Sequence, residues 1–420
     1  MLEIKNIANG VDSVFIKSDR FNTTLISVNF YLPLKKENIA KFALLPYILT
    51  SASEKYPDFS ALNMATSSLY KTVIGGSAEK VGDTQLIRFY CSCLNDELLG
   101  EEITKKALDL LLELIFNPLV KDGAFLEKEV AREKRLTAEK IKSLINDKRS
   151  YTINRLIENM YKDEAYGVLK TGELSSVLAL NGKELYAAYK KMLSSAYVKV
   201  QVVSKKMPEG LLDKFSSAFS KINRSETKIN PSVAKKHEKV NEYYETAKIN
   251  QAKLALGLTR KSTDDKLVHL VLSDIFGGGP YSKLFSNVRE KLSLCYYCAC
   301  RSYRNKGLLM VDSGVEKANL EKAKASILKE FEDIKNGEFS EELVETSKTS
   351  IIDTLLSTED FETAVDSFYA VRTNNHLKSI KDAIKEIEAV TKEDIINAAN
   401  EYTLDTVFTL LPEGQDEANN

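Results

Sequence analysis

The stretch Thr24–Leu32, TLISVNFYL, alternates between the two faces of an extended chain. One of these faces carries the apolar side chains of Ile26, Val28, Phe30 and Leu32. A period of two predicts a β-strand with its apolar face in a core, and Pro33 ends the strand because proline has no N–H to donate. Apolar residues at helical spacing come next, over Glu37–Ser51. The chain therefore begins with strands and helices in one domain.

The second half of the chain repeats this pattern. Ala252–Leu258, AKLALGL, matches the first strand with Leu256 on Phe30, an offset of 256 − 30 = 226 residues. Two later segments match in the same order: Phe339 falls on Phe125, and residues 392–395 fall on 182–185. Each copy has strands, helices, two strands, helices and a last strand. We predict an α+β fold of two duplicated domains, each a mainly antiparallel sheet covered by helices on one face.

The domain boundaries are predicted from a change in composition. Residues 205–242 are polar and rich in Lys, Ser and Asn, with a weak helical pattern over Leu211–Phe219. We interpret this segment as a connection between an N-terminal domain, 1–204, and a C-terminal domain, 243–420. Such a connection is expected to open locally more easily than the domains that it joins.

Composition excludes several classes of protein. The 420 residues include 59 Lys and Arg against 60 Asp and Glu, a net charge of −1, whereas a dedicated nucleic-acid binder has a basic excess. Only 18 Gly and 8 Pro are present, which argues against a disordered or linker-rich chain. The start of the chain lacks the basic and apolar regions of a signal peptide. We expect a cytoplasmic protein that neither enters a membrane nor binds nucleic acid.

A glycine-rich loop marks the second half. The segment Ile275–Phe285, IFGGGPYSKLF, lacks the spacing of a phosphate-binding loop, so its plain interpretation is a tight or flexible turn between two helices. A second helix is predicted from about Ser282 through Arg289, and a strand from about Cys295.

The loop and the predicted helix and strand after it resemble a known family. The pattern Ser282-x-Leu284-Phe285, then Arg289-Glu290-Lys291-x-x-Leu294-x-Tyr296, is similar to the second-domain signature of the insulinase/pitrilysin-type zinc peptidases, which include the mitochondrial processing peptidases. The resemblance covers the whole chain and implies the inverzincin fold of that family. It also implies that Arg289 and Tyr296 hold substrate and the developing oxyanion at a zinc centre, and that Gly277, Gly278 and Gly279 bind substrate. Ser293 stands where the family usually has Gly.

The zinc motif of that family is missing here. H-x-x-E-H places two zinc-binding imidazoles and a general base on one helix. The aligned positions hold Ala43 and Tyr47 in place of the histidines and Pro46 in place of the base, and Lys140 takes the place of the downstream glutamate. The three histidines are His237, His269 and His376, none of them in residues 1–204. A zinc hydrolase using this motif is therefore excluded, and we expect no cofactor in this chain.

Two groups of residues offer a substitute site, and both have a plainer explanation. His269 aligns with Ala43, but without a second ligand it is expected to be a packed or capping residue. Thiolate metal binding is conceivable for the pairs Cys91–Cys93 and Cys298–Cys300 on strands. Small buried side chains in sheets are the simpler interpretation.

Three functions remain open. The first is a non-catalytic subunit of a two-chain peptidase, which binds unfolded peptide beside a zinc-bearing paralogous partner and completes that partner's site with Arg289 and Tyr296. The second is a scaffold of the same fold, as a homodimer or with another partner, that binds peptide or protein without cutting it. The third is an enzyme with a different active site.

Overall fold

Strands form where the sequence alternates. The structure is a computed structural model that describes residues 2–229, 239–372 and 377–413. His237, His376 and part of the predicted connection lie outside these residues. The strands are β1 Leu2–Ala8, β2 Val11–Lys17, β3 Thr23–Pro33, β4 Val73–Val81, β5 Thr84–Leu94, β6 Val120–Lys121, β7 Ala124–Phe125, β8 Tyr197–Ser204, β9 Asn241–Ala247, β10 Ala252–Thr259, β11 Cys295–Tyr303, β12 Leu308–Val315 and β13 Thr403–Pro412.

Helices occupy most of the segments between these strands. They are α1 Lys36–Leu49, α2 Phe59–Ser68, α3 Asp96–Leu99, α4 Ile103–Phe116, α5 Glu127–Ser143, α6 Lys148–Met160, α7 Leu174–Ala179, α8 Gly182–Ser195, α9 Leu211–Ser220, α10 Val268–Gly277, α11 Leu320–Lys335, α12 Glu341–Thr358, α13 Glu362–Ala370, α14 Ile380–Glu388 and α15 Lys392–Asn400. A π-helical segment, Leu284–Lys291, comes after the glycine-rich loop. The helix and the strand predicted after that loop are both present.

The chain forms two compact units, and each consists of three segments. The first unit is Met1–Lys142, Val168–Asn230 and Ser357–Leu377, and the second is Ser143–Gly167, Pro231–Leu356 and Lys378–Asn420. Each unit therefore takes one short segment from the other half of the chain. The predicted domains, 1–204 and 243–420, are each one continuous range of the chain and do not include this exchange of segments.

The first unit contains a six-stranded sheet in the order β1-β2-β8-β3-β5-β4. Its pairs are antiparallel except for β2 with β8. Helices α1, α4, α8 and α9 contribute buried side chains to the core on one face. The apolar face predicted for β3 is confirmed, because Ile26, Val28, Phe30 and Leu32 all lie in that core.

The second unit contains a five-stranded sheet in the order β11-β12-β10-β13-β9. Its pairs are antiparallel except for β9 with β13. From β9 onward, the strand order and the pair directions match those of β2-β8-β3-β5-β4 in the first sheet. The fold is thus α+β, with two mixed sheets covered by helices.

Both sheets carry a helix on their second face as well, which corrects the prediction of helices on one face. Helix α13 packs on β3 and β8 in the first unit, and α6 packs on β10 and β13 in the second. These helices belong to the exchanged segments. They explain why β3 is buried along both faces although its second face carries polar side chains.

The predicted connection is partly a packed element. Helix α9 places Leu211, Phe215 and Phe219 in the core of the first unit. Arg224 lies just beyond the helix and is 7% exposed, and its guanidinium donates to the carbonyl of Asn9 at 2.9 Å. Residues 211–224 therefore stabilise the first unit, and this part is not expected to be the weak joint.

Candidate functional site

The positions of the missing zinc motif lie on α1 in the first unit. Ala43 is 2% exposed and Tyr47 is 36% exposed, one turn apart on the helix. Pro46 lies inside the helix and contacts β4 closely, since a Cβ added at Gly76 would lie 2.8 Å from the Cβ of Pro46. A methyl group, a proline ring and a neutral phenol are not a zinc donor set. These residues do not fit the metal that the family motif holds.

Charged groups near Tyr47 balance one another. Burial raises the pKa of Tyr47, the positive charge of Lys170 lowers it, and the negative charges of Glu79 and Glu133 raise it. Lys170 forms an ion pair with Glu79 at 2.8 Å. Because burial raises the pKa of Tyr47 above its usual value, the phenol is protonated at neutral pH. It can donate a hydrogen bond but cannot replace a metal-binding imidazole.

Lys140, the residue aligned with the downstream glutamate of the motif, lies on α5, and its assignment stays a prediction. Lys140 is exposed on α5, whereas Glu133 on the same helix is 7% exposed. Glu133 is also the residue of α5 whose charge raises the pKa of Tyr47. Its carboxylate is held by Arg132, whose Nε donates at 2.9 Å. A single carboxylate paired with arginine is not a zinc donor set.

The glycines of the loop are explained by packing within the second unit. A Cβ at Gly277 would lie 2.5 Å from the backbone nitrogen of Cys300, and one at Gly278 would lie 2.1 Å from Oδ1 of Asp274. Tyr281 donates to Asp274 at 2.7 Å and closes the turn. The loop is therefore a tight connection between two helices, and substrate binding by Gly277, Gly278 and Gly279 stays a prediction.

The turn before β11 explains one departure from the family signature. Ser293 has φ +51°, a left-handed conformation that glycine adopts without strain and serine does not. Its hydroxyl donates to the carbonyl of Glu290 at 3.3 Å. Backbone geometry at this turn therefore accounts for the glycine that the family usually has there.

Arg289 and Tyr296 lie on either side of that turn. The guanidinium of Arg289 lies 4.4 Å from the ring centre of Phe285 and 3.6 Å from Glu290, and its side chain is 39% exposed. Tyr296 is 52% exposed and donates to Glu316 at 2.8 Å, which raises the pKa of its hydroxyl. Both polar groups thus reach the surface of the second unit, and each has a contact within the unit.

His269 is a packed residue of α10. It is 1% exposed, lies edge-on to Tyr402 and has Nε2 at 3.5 Å from Asp264. Burial, together with the charge of Arg260, lowers its pKa to about 4. In the part of the chain that the structure describes, His, Cys, Asp and Glu residues do not gather in groups of three or more that could hold a metal ion.

The sequence analysis did not predict two ion pairs that the exchanged helices form with the sheets. In the first unit, Asp366 of α13 contacts Arg88, and in the second, Arg149 of α6 contacts Asp312. A charged residue inside an alternating strand was the available signal, because an unpaired buried charge is costly. The partner of each charge lies far away along the chain, so this signal did not identify it.

Comparison with known proteins identifies the family. A model described as the peptidase M16 inactive domain matches residues 179–351. The "Probable inactive metalloprotease YmfF" of Bacillus subtilis strain 168 is 33% identical and covers 97% of both chains. The chain belongs to the peptidase M16 family. This confirms the resemblance to zinc peptidases of the insulinase/pitrilysin type and makes the chain a homologue of a probably inactive member.

Two further similar proteins match most of the chain. The "Uncharacterized zinc protease YmxG" of the same Bacillus strain is 23% identical over 80% of this chain and 81% of its own. A crystal structure of a conserved protein from Enterococcus faecalis V583 has a TM-score of 0.89 with 25% identity, and the two chains cover 99% and 100% of each other. The fold of the Enterococcus structure is therefore shared along nearly the whole chain. No described helix is both long and apolar enough to span a bilayer.

Proposed function

We propose that this chain is the non-catalytic subunit of a two-chain M16 peptidase. In this proposal it binds unfolded peptide and completes the zinc site of a paralogous partner with Arg289 and Tyr296. The observation that carries the proposal is the donor set on α1, where Ala43, Pro46 and Tyr47 replace the family's ligands and base in a fold that is otherwise retained. A chain that keeps the fold but lacks the donors needs another chain to supply the metal.

The chemistry of Arg289 and Tyr296 fits a role in trans. A guanidinium carries fixed donors for a carbonyl oxygen that gains charge, and a phenol protonated at neutral pH can donate to the same oxygen. Both side chains are partly exposed, so a substrate held by a second chain has access to them. Tyr296 would exchange its bond to Glu316 for one to substrate.

The comparisons support a partner of the same family. Bacillus subtilis strain 168 contains both a relative named as a probable inactive metalloprotease and one named as a zinc protease. A zinc-bearing paralogue is the partner that we propose for this chain, in a heterodimer in the cytoplasm. The matching strand orders of the two sheets support the proposal that the chain arose by duplication.

A scaffold without proteolytic activity is the second candidate. The observation that favours it is that Arg289 and Tyr296 each have a contact within the chain, with Phe285 and Glu316 respectively. If the role of Arg289 and Tyr296 is to make these contacts within the chain, the protein would bind peptide or another protein without assisting catalysis. Homodimer formation without zinc belongs to this candidate.

The test compares the purified chain, a zinc-bearing M16 paralogue from the same organism, and their mixture. We expect the chain alone to hold well under one zinc per chain and to leave an unfolded peptide intact. We expect the two chains to co-purify and the mixture to cleave faster than the paralogue alone. Stoichiometric zinc and chelator-sensitive cleavage by the isolated chain would contradict the proposal. A complex that forms but does not cleave faster would favour the scaffold.

A further inference from the structure

A β-bulge in β11 brings two cysteines to the same face of the sheet. Cys295 pairs with Val315, but Tyr297 pairs with Gly314 and Cys298 with Ser313, so β11 has one extra residue at this point. Val315 and Ser313 are two residues apart and face the same side. Their partners Cys295 and Cys298 therefore also share a face. In a regular strand without a bulge, two residues that are three positions apart would face opposite sides.

The two thiols are in contact. The thiol of Cys298 lies within hydrogen-bonding reach of the sulfur of Cys295. The hydroxyl of Ser313, the residue that pairs with Cys298, interacts with both thiols and donates to the carbonyl of Tyr297 at 2.8 Å. Tyr297, between them, points to the other face, where its ring centre lies 4.5 Å from the guanidinium of Arg149. The bulge residue Tyr296 is exposed. The bulge thus places the two sulfur atoms on one face and turns the side chain between them to the other face.

Exposure differs along the cysteines of this strand. Cys295 is partly exposed, whereas Cys298 is 7% and Cys300 is 5% exposed. Cys300 is covered by Gly277, since a Cβ there would lie 2.9 Å from the Cβ of Cys300. A reagent from solvent thus reaches Cys295 first, and Cys298 lies directly behind it.

The surroundings favour a thiolate at Cys295 and a thiol at Cys298. The hydrogen bond from Cys298, with help from the hydroxyl of Ser313 and the charge of Arg289, lowers the pKa of Cys295 to about 7. The same hydrogen bond and burial raise the pKa of Cys298 well above its usual value. An accessible thiolate beside a buried thiol is the arrangement of dithiols that react with disulfides.

The cysteines of the first unit provide an internal comparison. Cys91 and Cys93 pair with Ile26 and Thr24 in an unbroken register, so they share a face without a bulge. Both are buried, and burial raises the pKa of Cys91 strongly and that of Cys93 to about 11. This pair lacks both the access and the thiolate character that Cys295 has.

We propose that Cys295 and Cys298 form a redox-active dithiol, which closes to an intrachain disulfide by exchange with a low-molecular-weight disulfide. The Cys295 thiolate attacks one sulfur of the small disulfide, whose S–S bond breaks as a mixed disulfide forms and a thiolate leaves. Cys298 then loses its proton to solvent and attacks Sγ of Cys295, which releases the second thiolate. The two cysteines lose two electrons, and the small disulfide becomes two thiols.

The experiment treats the reduced, folded full chain with oxidised glutathione at pH 7, blocks the remaining thiols and maps the modified peptides by mass. Wild type should form the Cys295–Cys298 disulfide and keep Cys91, Cys93 and Cys300 free. Cys298→Ser should instead keep glutathione bound at Cys295, because the second attack is lost. The matched control Cys93→Ser should behave like wild type.

Two outcomes would overturn the proposal. One is a mixed disulfide at Cys295 that persists in wild type as it does in Cys298→Ser, and the other is a Cys295 that stays unreacted. A second measurement on wild type does not depend on how the variants fold. Phenylarsine oxide, which binds two neighbouring thiols, should protect Cys295 and Cys298 from alkylation, and Cys295 should alkylate at least about tenfold faster than each buried thiol. Equal rates would contradict the proposal.

Discussion

In each unit, the helix on the second face of the sheet contributes one buried ionic contact, and the charge that the helix supplies is opposite in the two units. In the first unit, α13 brings the carboxylate of Asp366 to Arg88 of β5. In the second, α6 brings the guanidinium of Arg149 to Asp312 of β12, with Nη2 donating at 3.1 Å. The helix carries the acid in one unit and the base in the other. Each helix would therefore meet a like charge on the sheet of the opposite unit.

The charges that differ occupy equivalent places in the two sheets. Arg88 pairs with Asn29 of β3, and Asp312 pairs with Ala255 of β10. Asn29 and Ala255 are related by 255 − 29 = 226 residues, the offset that aligns the two strands. The reversal is thus a difference at one position of a shared architecture. Like charges placed together are a known way in which proteins disfavour a wrong pairing.

The shapes of the two faces differ in the same complementary way. Tyr31 of β3 reaches α13 and donates to the carbonyl of Ala370 at 2.8 Å. The equivalent position in β10 is Gly257, where an added Cβ would lie 2.7 Å from the sulfur of Met160 on α6. A large ring on the first sheet and an open glycine on the second each suit only their own helix. Charge and shape together assign each exchanged helix to its sheet.

The strongest test of this comparison is the loss of Asp366. Its side chain is 3% exposed, accepts from Ser27 at 2.6 Å and from Gln201 at 2.8 Å, and neutralises Arg88. We expect Asp366→Ala to lower the free energy of unfolding of the first unit by about 3–5 kcal/mol, because it leaves a buried guanidinium unpaired. Denaturant titration measures this loss.

The matched control is Asp360→Ala on the same segment. Asp360 is 59% exposed and pairs with Arg20 at the surface, so its loss should cost less than about 0.5 kcal/mol. Equal losses for the two variants would show that the polar face is not what holds α13.

Exchanging the two charges of the first unit sharpens the comparison. Arg88→Asp or Asp366→Arg alone places two like charges together in a buried site. The double variant restores an opposite pair, and we expect it to recover about 1–3 kcal/mol relative to the sum of the single losses. A double-mutant cycle from urea unfolding measures this coupling. Simple additivity of the two losses would mean that the residues act independently and that charge does not assign the helix.

The corresponding loss in the second unit should be smaller. Removal of Asp312, which is 2% exposed, leaves the guanidinium of Arg149 without its carboxylate, but Arg149 is 39% exposed and water can solvate it. We expect Asp312→Ala to destabilise the second unit by about 1–2 kcal/mol, less than the loss at Asp366. Thermal unfolding of both variants side by side checks the order. A larger loss at Asp312 than at Asp366 would reverse the comparison.

A further difference between the units is a titrating group. His269 of α10 aligns with Ala43 of α1, and burial lowers its pKa from 6.5 to about 4. Below about pH 6.5 His269 takes up a proton in the unfolded chain but stays neutral in the native state. The free energy of unfolding therefore falls as the pH drops toward 4. Between pH 7 and 5 we expect wild type to lose about 1–2 kcal/mol more than His269→Gln, as measured by urea unfolding. Parallel pH profiles would mean that His269 does not titrate differently in the two states.

The sequence predicted the features that depend on local patterns. Alternation in Thr24–Leu32 predicted β3 and its core face, and helical spacing predicted α1 and α9 in nearly their observed positions. It could not predict the second face of β3, because Ser27 and Tyr31 donate to residues of a helix 339 residues further along the chain. Local polarity indicates solvent unless the distant partner is known.

For the candidate site, the sequence showed which residue types replace the zinc motif, but it did not show how the surrounding residues are arranged. The replaced motif at Ala43, Pro46 and Tyr47 was visible from residue types alone. The assignment of Lys140 depended on an alignment through α5 and stays a prediction, because the buried side of that helix, which carries Glu133, depends on packing. The bulge in β11 is a consequence of strand pairing, so a sequence that showed three cysteines could not show which two share a face in contact.

The most direct test of the proposed function is catalysis by the mixture of this chain with its zinc-bearing paralogue. With Arg289→Ala or Tyr296→Phe, we expect unchanged association and a fall in kcat/KM of about 10²–10³, because each residue donates to the developing oxyanion. Tyr244→Phe is the matched control, since Tyr244 is also 52% exposed and donates to a surface glutamate in the same unit, and it should cleave normally. Normal turnover by a mixture carrying both Arg289→Ala and Tyr296→Phe would contradict the proposal.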